Sequence, residues 1–229
     1  MIGFLPLGAY AGIDPKATYT DKNGDEVSKW DNINDVDAPL FVRFTANATE
    51  LEPNAMVEWH FQHTGVNGNT NITRYEEDTE FTFSESGVTQ VSLYIRQDNE
   101  VIDSTSIKVT ISESHLEMPN AFSPNDDGHN DKYGAKGANE PNADGHYRSI
   151  VEFHAYIFNR WGQKLYEWTD VAGTWDGTYN GSPVKPGVYY VLVKARGADG
   201  VEYNIRRDVN LIRNHNNEVT NGSGSDSNE

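Results

Sequence analysis

Residues 123–131 read SPNDDGHND and place Asp126, Asp127 and Asp131 beside Asn125, Asn130 and Gly128. Oxygen-bearing side chains at alternate positions, with glycine sixth, are the pattern of an EF-type calcium loop. With Gly128 sixth, Ser123, Asn125 and Asp127 fall first, third and fifth; His129 supplies a carbonyl at the seventh and Asp131 stands ninth. The twelfth position is Gly134, where such loops carry a bidentate glutamate. The pattern therefore predicts at most a weak calcium site of Asn125, Asp127, His129 and Asp131, with Kd on the order of 0.1–1 mM. The same residues also fit Asx-turns, in which Asn125 and Asp127 accept from nearby backbone amides. The sequence leaves both readings open.

Other reactive constellations are thin. His60 and His63 are three apart, and on a strand that spacing sends them to opposite faces. There is no GxSxG elbow and no phosphate-binding GxxxxGK[ST] loop. Glu76, Glu77 and Asp78 read as a solvated acidic strand edge. With no cysteine in the chain, disulfides, thiolate metal sites and thiol nucleophiles are excluded. No catalytic residues are assigned, no enzyme activity is expected, and no cofactor beyond that weak calcium is expected. The better candidates are for binding. Trp161 lies in a predicted turn beside Arg160, and Arg206 and Arg207 add positive charge, so these four form a predicted partner-docking set. Exposed Trp and Tyr rings would also stack on sugars.

The elements that must hold these residues are strands. The formal net charge of −17 disfavours binding to nucleic acid and to anionic lipid. Charge is uneven: residues 1–115 carry a net −12 and residues 116–213 a net −2, which suggests two domains. Aromatic residues reach 11% against 36% apolar overall, a mix suited to thin β-sandwiches. Apolar side chains alternate with period two at Leu40, Val42, Phe44 and Ala46, at Val57, Trp59 and Phe61, and at Phe81 and Phe83. They do so again at Val91, Leu93 and Ile95, and at Ile107, Val109 and Ile111, with a turn predicted at Asp98-Asn99-Glu100. APLFVRFTA, VEWHF and FTFSESGVTQVSLYI followed by SIKVTIS resemble the PKD-like modules of bacterial surface proteins. Gln62 and His63 replace the aspartate and glycine that often follow the WxF strand there.

After a short linker at Ser112–Pro119, strands are predicted at Val151–Phe158, Lys164–Trp168, Val188–Lys194, Val201–Ile205 and Asp208–Arg213. VYYVLV has no polar face and reads as a central strand covered on both sides. Lys136–Arg148 is polar and reads as an exposed loop. MPNAFSPNDDGHND, IVEFHAYIFNRWGQKLYEW, TWDGTYNGSPVKPGVYYVLV and VNLIR, in that order, resemble the gliding-motility-associated (type B) type IX secretion sorting domain of Bacteroidota. That resemblance implies a compact β-sandwich and recognition by an outer-membrane protein or the secretion machinery, often through a small partner β-barrel. In that family the chain usually ends at the LIR-like strand, whereas residues 214–229 follow here, in a place where they could mask a terminal signal. Asp103-Ser104-Thr105 resembles the O-glycosylation sites of Bacteroidota, with Ser104 as acceptor.

The expected fold is all-β, with two tandem immunoglobulin-like sandwiches. Residues 1–11 read as the remnant of an export signal, 12–114 as the PKD-like unit, 115–213 as the type-B-like unit and 214–229 as a disordered tail. The expected protein is extracytoplasmic: outer-membrane-associated, at the cell surface or secreted, and not itself transmembrane. Its first unit would be a spacer or adhesive module. Two other readings stay open: an accessory subunit of an outer-membrane complex that is never secreted, and a carbohydrate-binding module.

Overall fold

The computed structural model describes residues 12–49, 51–138 and 146–213. The predicted signal remnant, the tail and part of the Lys136–Arg148 loop lie outside the described residues. Those described form strands, turns and loops with no helix. The protein is an all-β chain of two immunoglobulin-like β-sandwiches.

The first unit has two regular layers. β1 (Lys16–Thr20), β2 (Glu26–Lys29), β4 (Leu40–Thr45) and β7 (Asp78–Phe83) form a four-stranded sheet in the order β2-β1-β4-β7. β3 (Ile33–Val36), β5 (Met56–Gly65), β6 (Gly68–Arg74), β8 (Gly87–Gln97) and β9 (Glu100–Ile111) form the opposing sheet in the order β3-β9-β8-β5-β6. The period-two residues face inward as the pleat requires. Phe44 on one sheet meets Trp59 and Phe61 on the other, with ring centroids 5.6 Å apart in both pairs. Asp98 and Asn99, at φ 52° and 69°, close the β8–β9 hairpin as a two-residue loop of the kind that matches strand twist. His63 is buried, and its ring lies against two glycines. A Cβ on Gly65 would stand 2.4 Å from His63 Nε2, and one on Gly87 3.2 Å from Cε1. Its Nδ1 is 3.0 Å from Thr89 Oγ1. His60 stands on the outer face with its ring edge-to-face on Tyr94, so the two histidines are divided between faces.

The second unit has one regular layer. β10 (Ala121–Phe122), β12 (Ile150–Phe158), β13 (Lys164–Trp168), β17 (Gly187–Gly197) and β18 (Glu202–Leu211) form a sheet in the order β10-β18-β17-β12-β13. Opposite it are only two-residue pieces: β11 (Tyr133–Gly134) with β14 (Thr174–Trp175), and β15 (Thr178–Tyr179) with β16 (Ser182–Pro183). Large rings fill what a second sheet would supply. Trp175 is fully buried between Phe122 and Tyr189, at 5.4 and 5.5 Å, and its indole N–H donates to the Thr178 carbonyl at 2.8 Å. Tyr133 is equally buried, and its hydroxyl donates to the Pro119 carbonyl at 3.0 Å.

Two sequence expectations change here. The strands predicted at Val201–Ile205 and Asp208–Arg213 are one strand, β18, because β17 pairs with it continuously from Gly187↔Leu211 to Arg196↔Glu202. VYYVLV is central in its sheet but covered on one face only. Tyr189, Val191 and Val193 point into the core, while Val188 and Tyr190 are 46% and 48% exposed. Lack of a polar face is as consistent with an apolar docking surface as with double burial.

The units meet through a hydrogen-bonded seam. The β17–β18 turn places Ala198 in the core of the first unit. Ser86 N donates to the Ala198 carbonyl at 3.0 Å, and Ala198 N donates to the Ser149 carbonyl at 2.9 Å. Ser149 Oγ accepts from Ala38 N at 3.1 Å and lies 2.9 Å from Ser112 Oγ, which donates to Asp37 at 2.6 Å. Asp199 takes both the amide and the hydroxyl of Ser114, at 2.9 and 2.7 Å.

Candidate functional site

The outer face of the β10-β18-β17-β12-β13 sheet is set by register. Phe158 pairs with Tyr190, and Tyr156 with Leu192. Tyr190 pairs with Asp208, Leu192 with Arg206, and Val188 with Asn210. Because side chains alternate, all of these lie on the side away from the core. Phe158, Tyr190, Val191, Leu192, Arg206, Arg207 and Asp208 border one depression of about 500 Å³. Tyr156 extends the stripe toward β13, where Lys164 Nζ lies 5.7 Å from its ring centre and pairs with Glu167. That pairing holds the Lys164 ammonium above its usual pKa and the Glu167 carboxyl below its own.

The β12–β13 hairpin carries the stripe to its tip. Asn159 Oδ1 accepts from the amides of Trp161 and Gln163 at 2.9 and 3.1 Å, and Asn159 N donates to the Gln163 carbonyl at 3.0 Å. On this braced turn Trp161 is 79% exposed, with the Arg160 guanidinium carbon 4.9 Å from its ring centre. An exposed indole on a rigid tip would lose little entropy on contact.

Of the four predicted docking residues, Arg160 and Trp161 share the hairpin tip and Arg206 borders the stripe behind it. Arg207 is exposed and borders the same depression as Arg206, with its guanidinium also engaged by the backbone. Its parity is inward, and Nη1 donates to the Met118 carbonyl at 2.5 Å, tying down the connection between the units. Tyr190, Phe158 and Leu192 were not singled out from sequence. The signal was present in VYYVLV, but alternation alone does not tell which apolar face is covered.

In the acidic loop, Asp131 is the hub. Its carboxylate accepts from the amides of Asn125, Asp126 and Gly128 at 3.0, 2.7 and 2.8 Å. Desolvation works to raise its pKa, and the amides of Asn125, Gly128, Asp126 and Asp127 outweigh this and hold it below the usual range. Asp127 accepts from His129 N at 2.8 Å and from Asn125 Nδ2 at 2.9 Å, the Asx-type arrangement. Among the described residues no three His, Asp or Glu side chains are grouped to hold a metal. Ser104, the predicted glycosylation acceptor, is exposed on β9, and its amide donates to Asp103 at 2.8 Å.

The fold describes a tandem β-sandwich protein whose second unit leaves an apolar face exposed. Residues 116–205 match the CHU_C type IX secretion signal domain family, so this region is a type IX secretion signal domain. The protein is therefore one exported to the cell surface or secreted. No curated relative matches the chain. Among solved structures it is similar to a tetra-tandem repeat from the extending region of a large adhesion protein, at 13% identity and TM-score 0.28, covering 89% of this chain and 68% of that one. It is also similar to dimeric latent PorU from Porphyromonas gingivalis, at 10% identity and TM-score 0.25, covering 87% of this chain and 20% of that one. A third is SGBP-B of the Bacteroides ovatus mixed-linkage glucan utilization locus, in complex with a mixed-linkage heptasaccharide, at 17% identity and TM-score 0.22, covering 84% and 45%. At such TM-scores these likenesses bear on neither partner nor ligand. Among the described residues no helix is long and apolar enough to cross a membrane.

Proposed function

We propose that the protein works by binding, not catalysis, and that its second unit docks on the outer-membrane secretion machinery or a partner β-barrel through the Trp161 hairpin and the Tyr190–Phe158 stripe. The first unit is carried outward as a spacer or adhesive module. The observation behind this is an apolar stripe continuous with an exposed, braced tryptophan, inside the secretion signal domain of a chain whose net charge is −17. Arg160 and Arg206 at the borders suit an acidic rim on the partner. The acidic loop serves the fold in this reading, with amides in the place of calcium.

Trp161→Ala and Tyr190→Glu both alter surface side chains, so melting should stay close to wild type. Both should leave the protein retained in the periplasm, or lost from the membrane complex, when cells are fractionated. Normal export and membrane association of both variants would reject the docking face. Deleting residues 214–229 separates cargo from subunit: export that continues or improves marks a cargo signal, while copurification with membrane barrels and no export marks an accessory subunit.

A further inference from the structure

A depression of about 780 Å³ on the first unit opens at the Asp98–Asn99 end of the β3-β9-β8-β5-β6 sheet. The ion pair of Glu58 and Arg96 is part of its lining. The Glu58 side chain is only 13% exposed, although its parity puts it on the outer face, opposite Tyr94. Glu58 Oε2 accepts from Arg96 Nε at 2.8 Å and lies 3.2 Å from His60 Nε2. Burial opposes the charged carboxylate, and Arg96 and His60 together outweigh it, so Glu58 is held ionised. Both contacts fall on one oxygen, and Arg96 uses its Nε there and Nη1 toward the Asn99 carbonyl at 3.4 Å. Glu58 Oε1 and Arg96 Nη2 take no part in these bonds, which leaves one acceptor and one donor on adjoining groups. Beside them Asn54 donates to Asp98 at 2.9 Å and accepts from Gln97 at 3.2 Å, so the polar floor is oriented in advance. The walls are apolar and open: Tyr75 is 62% and Met56 54% exposed.

The sheet beyond the depression is unusual for this chain. At the outward positions within Met56–Thr64, Asn69–Thr73, Val88–Arg96 and Ser104–Thr110, Glu58 is the one acid. Amides and hydroxyls such as Gln62, Asn71, Thr73, Gln90 and Ser106 occupy most of the rest. Elsewhere the first unit is strongly acidic.

We propose that this face binds a neutral polysaccharide, with one sugar ring seated between Tyr75 and the Glu58–Arg96 pair. A vicinal diol supplies one donor for Glu58 and one acceptor for Arg96, and the C–H face of the ring lies on Tyr75. Along the strands a polymer would meet mostly amides and hydroxyls, with Lys108 the one further fixed charge at those outward positions. An anionic glycan would meet Glu58 and Asp98 with Arg96 already paired. The site is on the opposite unit from the docking face and does not rest on that reading.

The test is affinity electrophoresis of the full chain through native gels containing hydroxyethylcellulose, galactomannan or amylopectin, with polygalacturonate as the anionic counterpart. Retardation by at least one neutral polymer is expected, weakened about tenfold by Tyr75→Ala, the loss of one ring-stacking contact. Glu58→Gln should weaken it as well, and Trp161→Ala should leave it intact. Tyr75 is exposed, so an unchanged melting temperature for Tyr75→Ala confirms an intact fold. Migration unaffected by every neutral polymer, retardation by polygalacturonate alone, or retardation that survives Tyr75→Ala would overturn the proposal.

Discussion

The two units carry the same five-stranded sheet and use its outer face in opposite ways. In each, a short strand runs parallel to the last strand, the last two strands form a hairpin, and the penultimate strand pairs with the first member of an earlier hairpin. On β5 and β8 the outward positions carry Gln62, His60, Gln90 and Tyr94, whereas on β12 and β17 they carry Phe158, Tyr156, Tyr190 and Leu192. Inward positions answer to core packing, where voids and overpacking both cost stability. Outward positions answer to what the protein meets. The difference between the two faces is therefore where the two proposals differ: a neutral glycan on the first unit and a protein partner on the second.

The opposing layers differ as well. The first unit closes with a second regular sheet, the second with rings. Trp175→Ala should therefore give the largest effect, about 3–5 kcal/mol lost in urea unfolding, because few backbone ladders remain to hold that layer. An effect below about 1 kcal/mol would mean the rings are not what closes the second unit.

Next in size is the seam. Ser149→Ala removes a buried hydroxyl that serves Ala38 and Ser112, at a cost of about 1–3 kcal/mol. The same change should split unfolding into two transitions in calorimetry, where one is expected for the wild type. Two transitions already present in the wild type would show that the units are not coupled. Asp199 makes the seam acid-sensitive. Burial raises its pKa, but the Ser114 hydroxyl and amide and the Val201 amide bring it below the usual value. Its contribution is thus complete above the unfolded carboxylate pKa of about 3.9. It is lost as pH falls through the lower folded value, so Asp199→Asn should flatten the low-pH end of the stability curve.

A smaller effect is expected at the acidic loop. Asp131→Ala should lower the melting temperature, since three amides lose their acceptor, while EDTA should leave the wild type unchanged. A melting shift on EDTA addition would show that this loop holds calcium. Smallest of all is Arg43→Ala, which breaks an exposed pair with Glu80 at 2.9 Å on the four-stranded sheet and should cost about 0.2–1 kcal/mol.

Much of the strand map was legible because burial imposes period two. Trp59, Phe61, Val91, Leu93, Ile107 and Val109 all alternate in sequence and are all buried. β1, β2 and β3 were not legible, since KATYT, EVSK and INDV are short and mostly polar and take their form from neighbours. The break predicted within β18 falls at Arg206-Arg207, which sit mid-strand with both side chains exposed and Arg207 reaching the Met118 carbonyl. Of the candidate sites, the hairpin tip was legible from Arg160-Trp161-Gly162. The Glu58–Arg96 pair was not, as its members are 38 residues apart and meet only across the β5–β8 ladder.

Sequence alone determined that the chain is built of strands, which residues of the regularly alternating strands face a core, and that its second half resembles a secretion signal domain, because alternation and ordered turn motifs are local properties. Only the tertiary structure decided which apolar face stays open, that Ala198 of one unit lies in the core of the other, and that amides close around Asp131. Each of these depends on which distant segments come within hydrogen-bonding or van der Waals reach, and no pattern along the chain encodes that distance.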